Sequence, residues 1–173
     1  YKFTGFDQHR PVILIMGGSQ GAQQINELVS AGLDELLKKF QIVHIRGRGN
    51  LDISLHKKGY VQYEYLDEQM KDVYAMCEMI VSRGGANSLA EIALLRKKAL
   101  IIPLGTAGSR GDQIDNAKIF SRKFGWSILS GDISREDFIG GIELAYQSKV
   151  NKVEDFKNGV DEIVKIILGY TLS

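Results

Sequence analysis

Four strand-length stretches of this chain carry few or no polar side chains: PVILIM (Pro11–Met16), QIVHI (Gln41–Ile45), MIVS (Met79–Ser82) and ALIIPL (Ala99–Leu104). A strand with one face in water alternates apolar and polar residues. Runs this continuous predict strands covered on both faces. Between them the periodicity changes to that of helices. Ile25, Leu28, Val29, Leu33, Leu36 and Leu37 fall on one helical face. A short helix is predicted over Met70–Met76, and others over Ser88–Arg96 and Asp112–Phe124. GYVQYEYL (Gly59–Leu66) and WSIL (Trp126–Leu129) hold two further strands. Ser134 with Asp137 makes a capping-box start for a fifth helix. Phe156, Val160, Ile163, Val164 and Ile167 form the apolar stripe of a last one, over residues 152–168. Covered strands alternating with helices predict an α/β fold: a doubly wound, mainly parallel six-stranded sheet of Rossmann-like type.

With 173 residues the chain is long enough for one domain with its own core. A net charge of +1, with no Lys/Arg run, argues against a nucleic-acid partner held by bulk charge. The single cysteine, Cys77, has no partner for an internal disulfide and lies in the apolar context YAMCEMIV. It is expected in the core of a protein from a reducing compartment. No apolar run reaches membrane-spanning length, and no signal peptide is recognisable. The sequence opens at Tyr1 rather than Met, so it is expected to be a piece of something longer. Residues 1–10 then read as a linker or domain-boundary segment.

Ligands of doubly wound sheets bind beyond the carboxyl ends of the strands, where three glycine-rich loops lie here. The first, GGSQG (Gly17–Gly21), satisfies the G-x-S-x-G pattern of a nucleophile elbow. The histidines, however, are His9, His44 and His56, so no base follows late in the chain and Ser19 would stay an unactivated alcohol. The same loop suits a phosphate: bare glycines allow close approach, and a helix starting near Gly21 and Ala22 points its free N–H groups at an anion. Neither a Walker lysine nor the dinucleotide glycine spacing is present. A turn needed only for strand–helix packing is the alternative.

The second loop, SRGGANSLAEIALL (Ser82–Leu95), carries Glu91 about one turn into a helix that begins near Ser88. A carboxylate there can accept from two vicinal hydroxyls, as a ribose presents them. Ser88-x-x-Glu91 is equally a capping box, which needs no ligand. In the third, PLGTAGSRGDQIDNA (Pro103–Ala117), Asp112 and Gln113 combine acceptors with an amide donor, as adjacent sugar hydroxyls require. An N-cap role accounts for Asp112 but not for Gln113 and Asn116 beside it.

Taken together, GGSQGA, SRGGANSLAE and SRGDQIDNA resemble the C-terminal, nucleotide-sugar-binding half of the MurG family, and look closest to its Gram-positive versions. These bacterial glycosyltransferases add N-acetylglucosamine to the lipid-linked muramyl-pentapeptide precursor of peptidoglycan. The resemblance implies one half of the GT-B architecture, in which two Rossmann-like domains face a cleft. It places Gly18, Ser19, Gln20 and Gly21 in the diphosphate loop, and Gly85, Ala86 and Asn87 beside the nucleotide. It puts Glu91 on the ribose hydroxyls, Leu66 with its backbone facing the uracil, and Asp112 and Gln113 on the N-acetylglucosamine hydroxyls. Asp112 departs from a pattern often read as two glutamines. HIRGRG (His44–Gly49) departs from the usual histidine-to-threonine-glycine stretch, and Arg46 and Arg48 are expected as solvent-exposed charge.

The implied activity of the full-length protein is inverting transfer from UDP-N-acetylglucosamine to the 4-hydroxyl of lipid I, giving lipid II and UDP. No cofactor or metal is implied, and no Asp-x-Asp motif occurs. The base, the acceptor site and the membrane-docking surface belong to the N-terminal half in this family. This piece alone is thus expected to be inactive, and the whole to lie in the cytoplasm or on the cytoplasmic face of the membrane. A non-catalytic nucleotide-sugar-binding module, or one subunit of a split glycosyltransferase, is the alternative.

Overall fold

The structure, a computed structural model, describes residues 4–17, 23–103 and 112–151. The elements run β1 (Val12–Met16), α1 (Gln23–Lys39), β2 (Gln41–Ile45), β3 (Tyr60–Tyr63), α2 (Met70–Met76), β4 (Met79–Ser82), α3 (Ala86–Leu94), β5 (Lys98–Ile101), α4 (Asp112–Phe124), β6 (Ser127–Ile128) and α5 (Arg135–Gln147). The strands form one six-stranded sheet in the order β3-β2-β1-β4-β5-β6, every neighbouring pair parallel. That is the doubly wound order, with its crossover point between β1 and β4.

Alternate residues of each central strand feed two separate cores. Ile13, Ile15, Ile42, Val81 and Leu100 pack under α1 and α5. Val12, Leu14, Val43, Ile80 and Ile101 pack under α2, α3 and α4. Double coverage explains the unbroken apolar runs: each fully buried aliphatic side chain is worth about 1.5–3 kcal/mol of transfer free energy. Helix α1 buries Ile25, Leu28, Val29, Leu33 and Leu36, the stripe its periodicity announced, while Leu37 stays half-buried. Cys77 is in the core, where burial pushes its thiol up to about 11. Helix α5 starts as its capping box requires, Ser134 Oγ accepting from the Asp137 amide at 3.0 Å. The apolar stripe predicted over 152–168 lies outside the described residues.

Residues 4–10 dock beneath the amino end of β2. Phe6 is buried, the Asp7 amide donates to Gln41 Oε1 at 2.8 Å, and Arg10 donates to the Leu37 and Phe40 carbonyls at the end of α1.

Candidate functional site

Met16 and Ser82 are register partners at the carboxyl ends of β1 and β4. Loops one and two therefore leave the sheet side by side at the crossover point, where the fold opens a crevice. On the α2/α3 side lies a cleft of about 600 Å³. Met16 and Ile45, from the ends of β1 and β2, line it together with Leu66, just after β3. Met70 and Tyr74 enter from α2, and Ser88 and Glu91 from α3. Arg48, Glu64 and Tyr65 complete it, with Arg48 Cζ 5.4 Å from the centre of the Tyr65 ring.

Glu91 does not stand alone. The Tyr74 hydroxyl donates to Glu91 Oε2 at 3.0 Å, joining α2 to α3 at the cleft. Burial, and then the hydrogen bond to Glu91, raise the Tyr74 phenol above its ordinary value, so it remains a protonated donor. The capping-box reading of Ser88 and Glu91 is overturned. Helix α3 begins at Ala86, with Gly85 as an N-cap that makes no side-chain capping bond, so Ser88 and Glu91 both lie inside the helix. Just before that start, Gly84 is closely packed. A Cβ there would stand 2.3 Å from the Gln113 carbonyl oxygen, so the backbone of loop two passes directly beneath the first turn of α4. Glycine is the residue that permits such contact, and the chain turns into the helix immediately after it.

The two arginines of HIRGRG part company. Arg48 is exposed, as expected; Arg46 is not, being only 7% exposed. Its Nε donates to the Asn50 carbonyl at 2.6 Å, and its guanidinium reaches Ser30 Oγ and the Tyr60 hydroxyl at 3.4 Å each. Asn50 comes from the loop between β2 and β3, which curls back over the guanidinium, Ser30 from α1 and Tyr60 from β3, a convergence the sequence could not announce. Neighbouring His44 is fully buried, its Nδ1 3.0 Å from the Tyr60 hydroxyl. Burial, and then the Arg46 charge, push its pKa down to about 3.

Other proposed contacts fall in several places. Gly85 precedes α3, while Ala86 and Asn87 occupy its exposed first turn, outside the cleft lining. Gln113 sits in the first turn of α4, its carbonyl against Gly84. Asp112 opens α4. Gly18, Ser19, Gln20, Gly21 and Ala22 lie outside the described residues. Among the described residues no group of three His, Cys, Asp or Glu side chains is placed to hold a metal ion, and no helix is long and apolar enough to cross a membrane.

Residues 12–163 match the family model of the glycosyltransferase family 28 C-terminal domain. The chain belongs to this family. Among relatives of the family 28 domain, a "UDP-N-acetylglucosamine--N-acetylmuramyl-(pentapeptide) pyrophosphoryl-undecaprenol N-acetylglucosamine transferase" of Clostridium tetani is 37% identical over 98% of this chain and 49% of its own length. A similarly named protein of Bacillus thuringiensis is 44% identical over 95% of this chain and 48% of its own. The chain thus spans about half the length of the curated relatives it matches. In fold it is similar to MurG of Acinetobacter baumannii, with a TM-score of 0.67, 22% identity, and coverage of 95% of this chain and 52% of the other. It is also similar to the solution structure of ALG13, with a TM-score of 0.55, 11% identity, and coverage of 90% and 94%. The MurG-like, GT-B character implied by the three loops is thus borne out.

Within this family 28 domain, sequence reasoning missed Tyr74. Its signal is faint: Met70 and Tyr74 are four apart and share a face of α2, which reads as ordinary packing. The partner that gives Tyr74 its meaning is 17 residues away, on another helix.

Proposed function

We propose that this domain is the donor-binding half of an inverting glycosyltransferase that moves N-acetylglucosamine from UDP-N-acetylglucosamine to lipid I, giving lipid II and UDP. The observation that carries the reading is the Glu91 carboxylate, held by Tyr74 at a cleft beside the β1–β4 crossover point. In this reading Glu91 accepts from the ribose hydroxyls and Leu66 offers backbone to the uracil. Gly85, Ala86 and Asn87 flank the nucleoside, and Asp112 and Gln113 meet the sugar. Gly18, Ser19, Gln20 and Gly21 cradle the diphosphate.

The domain's chemical task is to stabilise charge that grows on the departing diphosphate. Main-chain donors at the start of α1 suit it, because oriented dipoles need no reorganisation during reaction. The base, the acceptor site and membrane docking are assigned to a second domain, and the whole enzyme to the cytoplasm or the cytoplasmic face of the membrane. The relatives' names, given at 37% and 44% identity, support the choice of donor and acceptor.

Calorimetric titration of the purified chain with UDP, UDP-N-acetylglucosamine and ATP tests the reading. The uridine compounds are expected to bind, ATP not, with no turnover. Glu91→Ala should weaken UDP about tenfold or more, the worth of a hydrogen bond to a charged group. Equal affinity for ATP, or an indifferent Glu91→Ala, would sink the nucleoside assignments.

One observation favours a second reading, a subunit that works with a separate partner chain. The same fold makes up 94% of the matched ALG13 chain. A second Rossmann-like pattern encoded upstream of Tyr1 in the same reading frame would decide for the two-domain enzyme.

A further inference from the structure

We propose that Tyr74 is a positioning residue that confers ribose selectivity on this site by fixing the Glu91 carboxylate. The inference rests on the donor-site reading above and extends it to a residue outside the three glycine-rich loops. Glu91 stands on the exposed side of α3, where a free glutamate would spread over many rotamers. Tyr74 removes that freedom from the opposite wall. Its ring packs against the core beneath α2, and its hydroxyl meets Oε2 at 3.0 Å. An ionised carboxylate only accepts, so the phenol is the donor, and it occupies one acceptor position on Oε2. Among the described residues nothing else occupies the remaining positions, so Oε1 and the second lone pair of Oε2 stay available for two more donors.

A vicinal diol supplies two such donors; a ring lacking its hydroxyls supplies none. The Tyr74 hydroxyl therefore contributes to binding only when the ligand has hydroxyls for Glu91 to receive. A tyrosine that merely tied α2 to α3 would affect every ligand alike.

That difference is measurable with the full 173-residue chain, UDP and 2′,3′-dideoxy-UDP. Wild type should prefer UDP by about tenfold or more. Tyr74→Phe keeps the ring and its packing. It is expected to weaken UDP about fivefold and to leave the dideoxy compound within about twofold, collapsing the preference. Glu91→Ala should abolish the preference, and Tyr74→Phe should then add nothing, because the hydroxyl acts through the carboxylate. Parallel loss for both ligands in Tyr74→Phe would mean a structural tether and would overturn the inference. So would an unchanged preference in Tyr74→Phe while Glu91→Ala still abolishes it, and in that case the donor site stands. Equal wild-type affinities, or no saturable UDP binding, would overturn the ribose reading and this inference together.

Discussion

Strand β2 and the residue that follows it send side chains to two polar regions on opposite faces of the sheet. Ile45 reaches the cleft against α2 and α3, where Glu91, Glu64 and Arg48 line an opening of about 600 Å³. His44 and Arg46 turn toward α1, among Ser30, Tyr60 and Asn50. The first region leaves charged groups where a ligand can reach them. The second holds His44, Arg46 and Tyr60 buried. Among the described residues no carboxylate lies within ion-pair distance of Arg46, whose hydrogen bonds go to neutral oxygens, while Asp52 feels its charge from farther off. Among the described residues His44 Nε2 has no hydrogen-bond partner. Polar character by itself therefore does not mark a site; accessible, oriented polar groups do.

The largest effect expected to sharpen this contrast is acid lability on the α1 face. His44 has a folded pKa near 3 against an ordinary value of 6.5. Between those values the unfolded chain binds more protons than the folded one, so stability rises with pH. The contribution is complete above 6.5 and is lost as pH falls toward 3. Its slope is up to about 1.4 kcal/mol per pH unit. Urea unfolding of wild type and His44→Gln across this range should show a steeper slope in wild type, the difference being the His44 contribution. Parallel curves would mean that His44 is not held neutral.

Next is Arg46→Met, which removes a buried cation and leaves Asn50, Ser30 and Tyr60 oxygens short of a donor. A stability loss of about 2 kcal/mol is expected in urea midpoints, with UDP affinity changed less than about twofold. If affinity fell while stability held, the hollow that Arg46 lines with Glu27, Ser30, Asn50 and Asp52 would itself be a ligand site and the contrast would break.

Smallest is Arg48→Ala. Arg48 supplies the cation of the cleft lining among the described residues and lies over Tyr65. An exposed contact of this kind is worth roughly 0.5–1 kcal/mol, so UDP binding should weaken about two- to fivefold. The deficit should shrink in high salt, where exposed charges are screened. A loss that salt leaves untouched would point to direct packing instead.

The secondary structure was largely legible because its signals are local. Helices α2 and α4 and strands β2 and β4 have the bounds the sequence suggests, and the Ser134 cap forms as read. The start of α3 was not legible. Ser88 offers a capping signal within its own segment, but the helix starts earlier, at Ala86, just after Gly84 passes under the Gln113 carbonyl, a long-range contact. Arg46 was misread for a similar reason. A charged residue after an apolar strand looks exposed until a helix and a returning loop deliver acceptors to it.

The sequence by itself determined the layered sheet and the three glycine-rich exits from it, because burial periodicity and backbone permissiveness are written residue by residue. Tertiary structure alone decided which polar groups meet. Tyr74 finds Glu91 across two helices, and Arg46 is buried among Asn50, Ser30 and Tyr60. A hydrogen bond depends on distances of a few ångströms between segments far apart in the chain, and only the packed fold sets those.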